Sequence, residues 1–281
     1  DGQPQVYLGV SHLDPGMLRR KLEGVLEIYE KFVGDDPKKV PMRVFPAVHY
    51  SMGGLWVDFN QMTNIPGLFA AGECEYQYHG ANRLGANSLV SCIFGGFIAG
   101  PAAVRYAKGL TQGAESLGSS FFDSAVVQER EINEELLHRD QEGINPHALH
   151  EELGNWTTEN VTVIRVNEKL RQTDDKIQEL MEKYREITLP DRGSWSNLEL
   201  LFARQLKNML ALARVITLGA WRRNESRGAH YKPEFPERDD LNWMKTTKAK
   251  CRSWSEEPEF SYEEVDAQYI KPRPRKYDAV K

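Results

Sequence analysis

The chain has 281 residues, 40% of them hydrophobic and 27% charged, which is enough for one large domain or two ordinary ones and too apolar for disorder over most of its length. Its formal net charge of -5 excludes a general nucleic-acid binder, which needs a basic surface to neutralise phosphates. Three widely spaced cysteines, Cys74, Cys92 and Cys251, form no CxxC pair and no metal-ligand spacing with histidine, so no metal site is assigned and a reducing compartment is expected.

The opening Asp1-Gly2-Gln3-Pro4 carries no initiator Met, basic stretch or apolar signal core and reads as a processed end or a truncation. Residues 6–10 predict a strand. Asp14-Pro15 opens a helix with Asp at the N-cap and Pro in the first position. Leu18, Leu22, Val25, Leu26 and Tyr29 follow at helical spacing, and Gly34 lies where a C-terminal cap belongs. Residues 42–48 are a strand candidate weakened by Pro46. Gly53-Gly54 turns the chain, Leu55-Trp56-Val57 begins another strand, and Asn64-Ile65-Pro66-Gly67 is a turn. Residues 68–72 predict a short buried strand ending in Gly.

Residues 84–104 contain no charged side chain, a length that could span a bilayer. Gly96 and Gly100 even form a small GxxxG of the kind that packs membrane helices. The run is Gly/Ala-rich rather than Leu-rich, however, and Asn87-Ser88 stands at its amino end, which favours a helix buried inside a soluble α/β domain. Four further helices are predicted: 121–139, 146–156, 161–187 and 198–221. The third turns Ile164, Leu170, Ile177 and Leu180 inward. The fourth carries Leu198, Leu201, Phe202, Leu206, Met209, Ala213 and Ile216 on one face. Such helices should pack as an antiparallel bundle. The remainder shows little regular pattern; Trp243, Trp254 and Tyr262 could drape over other surfaces, and the basic run 271–276 reads as a solvated arm.

Two segments carry the chemistry. One is His49-Tyr50-Ser51-Met52-Gly53-Gly54; the other, residues 72–89, reads GECEYQYHGANRLGANSL. The second leaves a strand end and enters a glycine-rich helix start, where free N–H groups and a positive dipole end favour negative charge or an electron-rich ring edge. Glu73 could accept hydrogen bonds from ribose-type hydroxyls, or equally make a loop salt bridge. Arg83, between Gly80 and Gly85, could grip a small planar anion bidentately, or form a structural ion pair. His49 sits between a strand and a Gly-Gly turn, where a structural role competes with a catalytic one. His79 is a further candidate to which the sequence gives no partner.

HYSMGG, then NIPGLFAAGE and HGANRLGANSL, together with RQLKNMLALARVITLGAWRRNESRGAHYKPEFPERDD and the tail, resemble the succinate dehydrogenase/fumarate reductase flavoprotein family, and its Bacillus-type branch in particular. The resemblance covers essentially the whole chain. It implies FAD as cofactor, with His49 and Arg83 binding the carboxylates of succinate or fumarate. It also implies that Glu73 contacts FAD, and that Ser88 and Leu89 offer backbone contacts to the flavin ring. The family's dinucleotide GxGxxG, its flavin-linking histidine and its proton-transfer arginine would lie upstream of Asp1, so no general acid or base is assigned to any residue here.

The fold this implies is α/β plus α. Residues 1–48 would end a capping domain, residues 49–112 would be the returning segment of an FAD-binding Rossmann-like domain, residues 113–240 a helical domain, and residues 241–281 a tail. The family's partners are an iron–sulfur subunit and, through the complex, a cytochrome b type membrane anchor, which implies a peripheral place on the cytoplasmic face of the cell membrane. Two other readings stand beside this one. L-aspartate oxidase shares HGANRL and ESRGAH-like segments, and a non-catalytic docking fragment could bind partner subunits without flavin.

Overall fold

In the computed structural model the described residues are 5–45, 48–139, 142–193, 195–254 and 256–273. The chain divides into two units, residues 1–49 and 50–281.

The first unit is one helix on a strand pair. α1 (Pro15–Val33) starts as its sequence dictates: the Asp14 carboxylate accepts from the Met17 N–H at 2.7 Å, and Pro occupies the first turn. It stops at Gly34, whose left-handed φ of 84° lets its N–H reach Glu30 O at 2.9 Å. β1 (Val6–Leu8) and β2 (Met42–Val44) pair antiparallel, with Val6 opposite Val44. Leu18 and Leu26 pack on Val10 and Met42, flanked by Leu22 and Tyr29. Val25, expected on this face, is exposed: it sits at the rim of the apolar stripe, and three-residue strands make too narrow a layer to cover it. β2 ends at Val44, and Pro46 lies outside the described residues.

The second unit opens irregularly. The strand expected at Leu55-Trp56-Val57 exists as single bridges, Leu55 to Glu75 and Val57 to Thr63. That expected at 68–72 is reduced to a bridge between Met62 and Phe69, with Leu68 exposed. Two turns cut these ladders short. Asp58 Oδ1 accepts from Asn60 N–H and Met62 N–H, and the Asn64–Gly67 turn closes with Leu68 N–H on Ile65 O. Among the described residues the sheets are two antiparallel pairs, and no parallel layer is present.

α2 (Asn87–Gly109) differs most from expectation. It is not a buried helix. Only Ser91, Gly95 and Ala102 are buried, while Leu89, Val90, Ile93, Phe94, Phe97 and Val104 are exposed. A small-residue edge makes the packing: a Cβ on Gly95 would stand 3.1 Å from the Cβ of Ala71. The stretch Asn87–Ser116 is long and apolar enough, by length and composition, to cross a membrane.

The main core lies among α4 (Pro146–Asn160), α5 (Asn167–Lys183) and α6 (Leu198–Arg222), closed by the last turn of α3 (Ser119–Leu137). Leu149, Ile177, Leu180, Leu206 and Leu210 are its largest fully buried side chains, joined by Ile187 beyond α5. Ile164 precedes α5 and is exposed rather than inward. The α6 face is also rotated from the expected one. Ala203, Leu206, Leu210, Arg214 and Thr217 point inward, while Leu198, Leu201 and Ile216 are exposed. The reason is Arg214, which pairs with buried Asp174 of α5 at 3.1 Å and fixes the rotation that apolar spacing alone misjudges.

The C-terminal part is more regular than its composition suggests. After the short α7 (Asp240–Trp243), β3 (Lys245–Lys250) and β4 (Glu259–Glu264) form an antiparallel pair. Lys245 stands opposite Glu264 and Lys250 opposite Glu259, so opposite charges fix the register at both ends. Trp254 packs on the helical core and donates to Lys207 O at 3.1 Å. Glu263 on β4 accepts from Trp56 Nε1 at 3.0 Å and from the Tyr76 hydroxyl at 3.3 Å.

Truncating Ile177 or Leu206 to Ala is expected to cost about 2–5 kcal/mol, whereas Val25→Ala should stay within about 0.5 kcal/mol. Denaturant unfolding of the three variants checks the assignment of core and rim.

Candidate active site

The second unit brings together four of the five site residues named from the sequence. His49, the fifth, is exposed and closes the first unit.

Residues 51–55, within the second unit, lie directly on the Gly72–Cys74 turn. A Cβ on Gly54 would stand 2.4 Å from Cys74 O, so only glycine permits the approach. Leu55 N–H donates to Cys74 O at 2.8 Å, and Ser51 N–H donates to Glu73 Oε1 at 2.9 Å. Gly72, with φ of 82°, in turn presses on α2, where its missing Cβ would meet Cys92 Sγ at 2.9 Å. Glu73 is thereby held at the surface between the two segments, while Glu75 beneath it is buried. Burial pushes the Glu75 carboxyl up, against the lowering effect of the Gln77 N–H bond.

Arg83 sits in the loop between Gly80 and Ala86, both left-handed, with φ of 54° and 65°. Its guanidinium stacks over the Tyr50 ring, 5.4 Å from the centroid. Its one hydrogen bond among the described residues runs from Nη1 to the neighbouring Leu84 O at 3.1 Å. Nε is buried with no acceptor. An unpaired buried donor costs about 1–3 kcal/mol. His79 has the partners that the sequence did not supply: its Nε2 lies 3.1 Å from Ser91 Oγ, and its ring meets the edge of Tyr50 at 4.8 Å.

Behind Arg83 begins α2. Its N-cap, Ala86, offers no side-chain bond, and only Asn87 N–H folds back, to Leu84 O at 3.3 Å. Among the described residues the Ser88 and Leu89 N–H groups have no acceptor. Orphan donors at a helix start carry a partial positive charge, and here two of them follow Arg83 by five and six residues.

A second feature escaped sequence reasoning: the turn after α6. Glu225, fully buried, accepts from Arg223, from Arg227 and from Asp239 N–H, the last at 3.1 Å. Burial pushes its carboxyl up, but the bonds from Arg227, Asp239 N–H and Arg223 together outweigh this and hold it below the usual range. Arg227 and His230 exchange both backbone hydrogen bonds, at 2.7 and 3.0 Å, so Gly228-Ala229 is the tip of a tight hairpin. That tip rests on Ala81: Ala229 N–H donates to Ala81 O at 2.9 Å. Lys232, also fully buried, donates to Asn167 Oδ1, Trp221 O and Asn224 Oδ1, and burial lowers it to about 8. The alternating charges of Arg223-Asn224-Glu225-Ser226-Arg227 after an apolar helix were the available signal.

Residues 1–89 match the family model described as FAD binding domain, and residues 150–277 that described as Fumarate reductase flavoprotein C-term. The chain is 59% identical over all 281 residues to the succinate dehydrogenase flavoprotein subunit of Bacillus subtilis, covering 48% of that protein. It is 35% identical over 97% of its length to the fumarate reductase flavoprotein subunit of Escherichia coli, covering 45% of it. Among solved structures, Escherichia coli quinol fumarate reductase superposes with a TM-score of 0.85 at 33% identity, over 96% of this chain and 46% of that one. The chain thus spans about half the length of the curated relatives it matches.

The hairpin also sets a pH dependence. His230 Nδ1 receives Arg165 Nη1 at 2.6 Å, and its Nε2 donates to Arg223 O at 2.9 Å, which assigns the neutral ring. Burial, then the Arg165 charge, depresses it from 6.5 to about 4. Stability from this group is therefore complete above pH 6.5 and is lost as the pH falls towards 4, by roughly 3 kcal/mol. Thermal unfolding between pH 7 and 4 should show that fall, and His230→Gln should flatten it.

Proposed function

The chain belongs to the succinate dehydrogenase and fumarate reductase flavoprotein family, and on that premise we propose that it supplies two carboxylate ligands, Arg83 and His49, and the flavin-ring support of an FAD-dependent oxidoreductase interconverting succinate and fumarate. The observation that carries this reading is Arg83, stacked on Tyr50 with its donors almost unused, next to the uncapped start of α2.

The residues present fit FAD. The free Ser88 and Leu89 N–H groups match an electron-rich ring edge, and Glu73, with one oxygen on Ser51 N–H, keeps its other oxygen for a ribose hydroxyl. The exposed apolar face of α2 matches burial under the remainder of a flavin domain. When bound, FAD accepts or returns the hydride of the carbon–carbon oxidation. Arg83 takes one substrate carboxylate through its fork and His49 takes the other. Each withdraws charge from the carboxylate it binds and restricts the orientation of the substrate. The amino end of α2 stabilises negative charge on a ring resting against it. No residue here is given the proton transfer.

The same reading assigns residues 1–48 to the end of a capping domain, 49–112 to the returning part of a Rossmann-like FAD domain, 113–240 to the helical domain and 241–281 to the tail. Electrons would pass to an iron–sulfur subunit and on to a membrane anchor and quinone, with this subunit peripheral on the cytoplasmic face. Under this assignment α2 is covered by protein rather than lipid.

In the native flavoprotein, Arg83→Lys is expected to lower kcat/KM for succinate about 10- to 100-fold, through loss of the bidentate fork, with the flavin spectrum intact. Succinate-dependent dye reduction measures it. Unchanged kinetics, or a preference for L-aspartate as substrate, would remove the dicarboxylate reading.

A further inference from the structure

We propose that the hairpin tip Gly228-Ala229 is a positioning device for Arg83, fixing where the guanidinium stands and hence how tightly the dicarboxylate is held; the inference rests on the reading of Arg83 as a substrate ligand.

The argument starts from what holds Arg83 in place. Among the described residues its side chain is anchored only to Leu84 O, one residue away, and to the face of Tyr50, so its location is inherited from the loop backbone. Asn82 N–H bonds to His79 O and Asn87 N–H to Leu84 O, both local turns. Among the described residues, the hydrogen bond from Ala229 N–H to Ala81 O, at 2.9 Å, is the one backbone tie between residues 80–86 and anything distant in sequence. It lies two residues from Arg83.

The contact is close and one-sided. A Cβ on Gly228 would fall 2.3 Å from Ala81 O and 2.6 Å from Ala81 C, both backbone atoms that cannot rotate aside, and Gly228 has φ of 59°. The hairpin behind the tip is braced in turn. Arg227 is gripped by buried Glu225 and by Asp240 at 2.7 Å, and His230 is held between Arg165 and Arg223 O. The hairpin is tied by several hydrogen bonds and the loop by one distant backbone bond, so strain introduced at the tip is taken up by the loop.

A side chain at position 228 must therefore push Ala81 away by about 1 Å to reach ordinary contact. Displacement of that size at a substrate-orienting group costs about 100-fold. The native flavoprotein is compared with Gly228→Ala, Arg83→Lys and, as a control in open space on α4, Gly154→Ala. The readouts are KM for succinate, flavin content and the Kd of malonate, a dicarboxylate that cannot form the double bond. Gly228→Ala should keep its flavin yet lose about 100-fold in kcat/KM, mainly through KM, with malonate weakened in parallel, while Gly154→Ala is unaffected. A purely structural tip would lower flavin content or melting temperature and leave KM and malonate binding alone, which would overturn the inference. If Gly228→Ala does not fold, Asp240→Asn slackens the same brace from the surface. It should raise KM several-fold with an unchanged flavin spectrum, and an unchanged KM would count against the proposal. Unaltered KM in Arg83→Lys would instead remove the underlying dicarboxylate reading, and the positioning role with it.

Discussion

The candidate site depends on backbone approaching closer than any side chain allows. Gly54 meets Cys74, Gly72 meets Cys92, Gly95 meets Ala71, and Gly228 meets Ala81. Each contact stacks one segment on the next, and together they carry the Gly53-Gly54 turn, Glu73, the Arg83 loop and the start of α2 as one assembly. Two of these glycines also adopt left-handed φ, so both space and conformation exclude a Cβ there. The order obtained without long strands explains how a region of single bridges and turns can present a guanidinium and two free amides together.

Charge is used in two different ways in the same unit. Arg214 and Asp174 pair between α5 and α6, and burial raises the Asp174 carboxyl despite the Arg214 charge. Such a pair specifies helix rotation more than it adds stability. Glu225 is the opposite case: two arginines and a backbone N–H overcome its burial, and the outcome is a rigid turn. Lys232 beside it is satisfied by three oxygens, so Glu225, His230 and Lys232 are polar, buried and hydrogen-bonded within one short segment, the condition under which a polar cluster stiffens a structure.

Local signals were legible in the sequence. Asp14-Pro15 and Gly34 bound α1 because caps act through neighbours within a few residues, and the two glycine-rich segments stood out because close approach selects glycine. What depended on distant partners was not legible. The buried face of α6 is set by Arg214 meeting Asp174, forty positions away, which apolar periodicity does not register. The exposure of α2 follows from a packing edge of small residues, whereas composition suggested burial all round. Strands at 55–57 and 68–72 shrank to bridges because turn chemistry at Asp58 and Gly67 overrode their β-branched and aromatic content. The partner of Ala81 lies in a hairpin that, in sequence, shows only alternating charges.

Glu263 joins the last hairpin to Trp56 and Tyr76, contacts separated by 207 and 187 positions along the chain. During synthesis from the amino end, those two aromatic side chains emerge long before the carboxylate that secures them exists. The turns around Trp56 and Tyr76 therefore stay unlatched until β4 has been synthesised. Their maturation is coupled to completion of the β3–β4 hairpin, and a product released before Glu263 would lack that clasp.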